Sequence, residues 1–191
     1  MNIIQSPSKN FYGRSGYAPE LLIVHCTDGT YPGDLNWLRG IDPSSQVSSH
    51  YYIAPNGDIH RLVDDANAAW HAGTVDKPTA RILKKTGAGA IVNPNLYSIG
   101  IEVSLKPPAE PQAAQWNALK ELIRSLADAY AIPQDRDHII GHHEIRAAKT
   151  CPSPIDVDRL VRELPPQAAP VSPAPDKETI KKQIIELVGK L

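Results

Sequence analysis

Leu21-Leu22-Ile23-Val24-His25-Cys26 is an unbroken apolar run ending in two chemically reactive side chains, bounded by Pro19 and by Asp28-Gly29. A run of this length stopped by turn residues reads as a strand buried on both faces, with its working groups at the end. The neighbouring segments supply strands to pair with it. His50-Tyr51-Tyr52-Ile53 and Ile59-His60-Arg61-Leu62-Val63 flank Pro55-Asn56-Gly57-Asp58 and read as a hairpin around an Asn-Gly turn. Ser98 to Val103 alternates Ile99, Ile101 and Val103 against Gly100 and Glu102, the period of a further strand.

Trp116, Leu119, Ile123, Leu126 and Tyr130 repeat at helical spacing and predict one amphipathic helix, with Pro111 at its first position and Pro133 beyond its end. His138 to Gly141 reads as a short strand, and Asp156 to Leu164 as a closing helix. Strands separated by loops and by a helix imply an α/β domain over residues 1–164, a mixed central sheet flanked by helices. Five of the eleven residues from Pro165 to Pro175 are proline, so 165–176 reads as a semi-rigid linker. Residues 177–191 place Ile180, Ile184, Leu187 and Leu191 on one stripe, an amphipathic C-terminal helix that needs a partner, such as a second copy in a homo-oligomer.

The 191 residues are 41% hydrophobic and 21% charged with a net charge of −1, which gives no electrostatic reason to expect nucleic acid or an anionic membrane surface as partner. No apolar run approaches the roughly 18–20 residues of a transmembrane helix, and the first residues lack the pattern of a secretion signal. The expectation is synthesis in the cytoplasm, with any work outside needing a separate exit route. Two cysteines are too few for a disulfide scaffold.

His25 follows one strand, Gly141-His142-His143-Glu144 follows another, and Lys149-Thr150-Cys151-Pro152 comes soon after. Two imidazoles and one thiolate meeting at a sheet edge suit zinc, and three protein ligands leave a fourth position open for water. By spacing alone, a distant histidine with an H-x8-C segment is not unique, and either His142 or His143 could be the second ligand. Cys26, adjacent to His25 on a strand, should face the opposite side as a buried thiol. A Cys26–Cys151 bridge would remove the thiolate that zinc requires.

LLIVHCT, SSHYYIAPNGDIHRL, AWHAG, NLYSIGIEVS and GHHEIRAAKTCPSP occur in this order. Together they resemble the type 2 N-acetylmuramoyl-L-alanine amidases, which include phage lysozyme-like amidases and relatives of animal peptidoglycan recognition proteins. The resemblance spans Leu21 to Leu164. It implies His25, His142 and Cys151 as ligands of one Zn²⁺, Glu102 as catalytic acid–base, and Lys149 beside the metal. It implies bacterial peptidoglycan as substrate, cut between the lactyl group of N-acetylmuramic acid and L-alanine. Trp70 and His71 of AWHAG are candidates for the substrate groove, and His50 for steering a ligand's ring. Ser49 stands where some relatives carry a catalytic tyrosine, which leaves the proton transfers to Glu102. A phage or prophage endolysin is the expected setting, with a cytoplasmic muropeptide-recycling amidase as the alternative. A non-catalytic peptidoglycan-binding module and a cysteine peptidase built on Cys151 are the rival functions.

Overall fold

The computed structural model describes residues 2–166. The helix expected over 177–191, and the linker expected over 165–176 apart from Pro165 and Pro166, lie outside the described residues. In chain order the first elements are β1 (Ile3–Gln5), β2 (Phe11–Gly13), β3 (Leu21–Cys26) and α1 (Gly33–Leu38). Next come β4 (Tyr51–Ile53), β5 (Ile59–Arg61), β6 (Asn67–Ala69) and β7 (Ser98–Val103). The last are α2 (Ala113–Tyr130), β8 (Ile139–Gly141) and α3 (Val157–Arg162).

Six strands form a mixed sheet in the order β1-β5-β4-β7-β3-β8. Only β4 and β5, the hairpin anticipated around Asn56-Gly57, pair antiparallel; β1–β5, β4–β7, β3–β7 and β3–β8 are parallel. Every residue of β3 is buried, as its unbroken apolar run requires. β2 and β6 form a separate antiparallel pair.

Alternation along β3 and β7 divides the core. Leu22, Val24, Ile99, Ile101 and Val103 pack with Leu119, Leu122, Ile123 and Leu126 of α2 and with Leu160 of α3. Leu21 and Ile23 face the other way, against Tyr97, Ile140 and Ile145. The register aligns His25 with Glu102, so both continue the second face to its polar end. The α2 stripe lies where its period put it. Leu119, Ile123 and Leu126 are buried, and the half-buried Trp116 and Tyr130 at its ends reach polar partners through Trp116 Nε1–Glu163 (2.7 Å) and Tyr130 OH–Asp65 (2.9 Å).

The helix start differs from the expectation. Gln112 is the N-cap, its amide donating to Gln115 Oε1, and Pro111 stands one residue before it. The paired glutamines satisfy amides at the helix start, a gain proline at the first position would not bring. Ala131 closes the far end in the left-handed region at φ 53°, two residues before Pro133. The sequence reading passed over β1, β2, β6 and α1. The three strands have only three residues each, too few to show a period. Among the described residues no helix is long and apolar enough to cross a membrane.

Ile123 is fully buried between α2 and the sheet. Ile123→Ala should cost about 2–5 kcal/mol in chemical denaturation, while Arg124→Ala on the exposed side should change stability by less than about 0.5 kcal/mol. Equal losses would mean that the stripe is not what binds α2.

Candidate metal centre

Three elements deliver a candidate ligand set. His25 is the next-to-last residue of β3, His142 opens the turn after β8, and Cys151 lies in the following loop. Close packing brings the last two together. A Cβ on Gly141 would stand 2.6 Å from Pro152 Cδ and 2.8 Å from the His143 ring, so only glycine lets the Cys-Pro loop close over this turn. Glu144 fixes the turn from below, accepting from the Gly141 amide at 2.7 Å and from Arg136 Nη2 at 2.8 Å.

His25 Nδ1 lies 3.1 Å from His142 Nδ1 and 3.7 Å from Cys151 Sγ. The three ligand atoms all fall within 4.8 Å of one another. Tetrahedral zinc bonds of about 2.0–2.1 Å to nitrogen and 2.3 Å to sulfur set N···N near 3.3 Å and N···S near 3.6 Å. The two distances from His25 therefore match a zinc site, and the set has its donor chemistry. His143 is exposed, with Nδ1 3.2 Å from the Cys151 carbonyl, so His142 is the histidine of this pair that joins the cluster.

Each imidazole is held neutral. Burial is the largest cause for all three; it drives His25 and His71 well below the usual histidine value and His142 to about 4, with neighbouring cationic groups adding to the shift. Beyond the ligands, His142 Nε2 donates to the Ala72 carbonyl at 3.1 Å. His25 Nε2 lies 3.1 Å from His71 Nδ1. The Cys26 amide donates to Cys151 Sγ at 3.3 Å. Both cysteines are free, and Cys26 packs into the α2 core. Contact with the Cys26 thiol, then burial, then the Glu102 charge push the Cys151 thiol up.

Glu102 points into the same space, with Oε1 4.0 Å from His25 Nδ1. Its Oε2 is buried and has no hydrogen-bond partner. Burial, helped by the charges of Cys26 and Asp34 against the opposing Lys149, raises its carboxyl to about 8. Asp34 beneath it is saturated, accepting from Thr27, Tyr52, Ser104 and its own helix amide at Leu35 at 2.7–2.8 Å. These groups open on a cavity of about 780 Å³, whose wall includes Trp37, Val47, Trp70, Lys149 and Cys151.

The profile of the N-acetylmuramoyl-L-alanine amidase family (Amidase_2) matches residues 15–154. The chain belongs to that family. As a family member it is an N-acetylmuramoyl-L-alanine amidase. Among solved structures, an AmpD selenomethionine derivative shares 27% identity at TM-score 0.66, over 85% of this chain and 93% of that one. A mutant endolysin from Bacillus subtilis shares 22% at TM-score 0.62, over 86% and 99%. AmpDh3 from Pseudomonas aeruginosa, solved with an anhydromuramic pentapeptide, shares 24% at TM-score 0.60, over 78% and 61%. The last two likenesses speak to the fold. A comparison with curated protein sequences found no match.

The other residues singled out in this amidase's sequence fall as follows. Lys149 is exposed on the cavity wall. Trp70 is half-buried on that wall, its Nε1 without a partner. His71 is buried beside His25 and lines the same cavity, Ser98 Oγ lying 3.1 Å from its Nε2. His50 touches the strand instead of a ligand, accepting from the Gly100 amide at 3.0 Å. Ser49 is buried and donates to the Tyr51 carbonyl. His60 meets Ser6 and His138 meets Asp135. Asp34 and Trp37 were missed; an acidic residue and a tryptophan in a short helix carry no signal of a site.

Buried neutral histidines give the metal-stripped protein a pH dependence of known sign. His25, His71, His50 (down to about 3) and His142 (down to about 4) bind their protons less well folded than unfolded. Their contribution is complete above the unfolded value near 6.5 and is lost as pH falls toward 3–4. Glu102, raised to about 8, acts oppositely, its share fading between its unfolded value near 4.5 and 8. Four groups outweigh one below pH 6.5. The melting temperature in chelator should therefore fall steeply from pH 6.5 to 4.5; a flat profile would mean that the histidines are solvated.

Proposed function

We propose that the chain is a zinc-dependent amidase hydrolysing the amide between the lactyl group of N-acetylmuramic acid and L-alanine of peptidoglycan. The observation that carries this reading is the convergence of His25 Nδ1, His142 Nδ1 and Cys151 Sγ beside an unpartnered Glu102 oxygen, at the floor of an open cavity. Zinc held by these three groups would supply Lewis acidity toward the carbonyl and would acidify water for the attack.

The chain's own groups perform the rest. Glu102 Oε2, free of protein partners, accepts the proton of the attacking water and returns it to the departing L-alanine nitrogen. Ser49 has no phenol to share this work. Lys149, exposed on the cavity wall, places a cation where the tetrahedral oxyanion develops. Trp70, half-buried on the cavity wall, offers a ring to sugar or stem peptide.

A cysteine peptidase would need a thiol of lowered pKa, whereas that of Cys151 is raised. A binding module without hydrolysis has no use for a complete ligand set beside a free carboxylate. Two settings suit the same bond. An endolysin acts on intact wall, and the endolysin likeness favours it. A recycling amidase acts on soluble muropeptides, and the AmpD likeness favours it equally. The ratio of kcat/KM on sacculi to that on soluble anhydromuramyl peptide separates the two.

Glu102→Gln should lower kcat by about 10²–10⁴-fold while zinc content stays at one ion, read from turbidity of a wall suspension and metal analysis. Retention of most activity would remove Glu102 from the proton transfers. Cys151→Ser should lose tightly held zinc and cutting together, and mass spectrometry of the wild-type digest should show new free L-alanine amino termini. Cleavage at any other bond would overturn the reading.

A further inference from the structure

The proposed ligands leave one question of hydrogen count. Each neutral imidazole has one N–H and one lone pair, and a metal at Nδ1 requires the lone pair there. For His142 the answer is local, because Nε2 donates to the Ala72 carbonyl.

For His25 it is set three residues away. Ser98 Oγ lies 2.7 Å from the Pro94 carbonyl, which can only accept, so the single hydroxyl proton is committed there. Ser98 Oγ then accepts at 3.1 Å from His71 Nε2, which must carry that ring's hydrogen. His71 Nδ1 is left as a lone pair, facing His25 Nε2 at 3.1 Å. His25 must therefore donate from Nε2, and its Nδ1 lone pair points to His142 and Cys151.

The two answers converge on one dipeptide. The amides of His71 and Ala72 both donate to Asn95 Oδ1, at 3.2 and 2.8 Å, which pins the segment. Gly100 gives the His71 ring its place, since a Cβ there would stand 2.4 Å from the ring. His50 stands edge-on to it at 5.5 Å.

We infer that His71-Ala72, clamped by Asn95, is the positioning element for both histidine ligands, the His71 ring relaying the Pro94–Ser98 hydrogen bond into the tautomer of His25. This rests on the metal reading above and assigns His71 a role behind the metal instead of toward substrate. His71 is a positioning residue and touches no reacting atom.

The test has a readout independent of activity. Long-range ¹H–¹⁵N spectra of the metal-free full-length protein at neutral pH should show the N–H on Nε2 of His71, His25 and His142. His71→Leu should raise the zinc dissociation constant by about 10–100-fold, measured by competition with a chromophoric chelator, and should leave His25 as a mixture of tautomers. His71→Asn, whose Oδ1 overlays the ring's Nδ1, should recover most of the affinity. A hydrogen on Nδ1 of His25 in the wild type would overturn the relay, as would wild-type zinc affinity in His71→Leu or equal weakening in both variants. Expected tautomers in a wild type that takes up no zinc would sustain the relay and remove the metal reading alone.

Discussion

Everything at the site depends on three parallel strands ending together. β3 runs parallel to β7 on one side and to β8 on the other. Parallel neighbours bring their carboxyl ends to the same edge, the usual place for chemistry in open α/β sheets. His25 is the fifth of six residues in β3, Glu102 is its partner across the β7 ladder, and His142 is the first residue beyond β8. A shift of one residue between β3 and β7 would turn Glu102 into the α2 core and bring a β-branched residue to the candidate metal site. The apolar contacts that hold this register therefore also set the geometry of the candidate site. Ile99, Ile101 and Val103 on one face determine where Glu102 points on the other.

The strand pattern was legible because it follows from burial. β3 shows an unbroken apolar run since both faces are covered, and β7 shows alternation since Gly100 and Glu102 must face the site. The residues that cluster as candidate ligands were legible by type, His25 and His142 near strand ends and Cys151 in the loop beyond. What the sequence hid is contact between side chains distant in the chain. Ser98 begins β7 as an ordinary strand residue, and nothing local says that its hydroxyl proton belongs to Pro94. His71 sits beside Trp70 in AWHAG and lines the same cavity, yet its ring nitrogens face Ser98 and His25, a pairing that nothing local announces. The clearest local clue was Gly100: a glycine amid β-formers marks close approach, here by the His71 ring.

The electrostatics of the site run in one direction. Burial keeps His25, His71 and His142 neutral and raises Glu102 to about 8, while contact with the Cys26 thiol and then burial push the Cys151 thiol up. Such a cluster holds no charged imidazole and suppresses its negative charge, with Lys149 as a cation on the cavity wall. For the zinc proposed here, neutral imidazoles are the form that binds, so the histidines need no proton removed. Cys151 and Glu102 are the groups whose ionisation a nearby dication would favour. Metal uptake should release the thiol proton and put the carboxylate in its base form in the same event. Coupling the two would leave the metal-free pocket without an ionised base, which places the switch to a competent site in the ion and the preparation for it in the buried, pre-set tautomers.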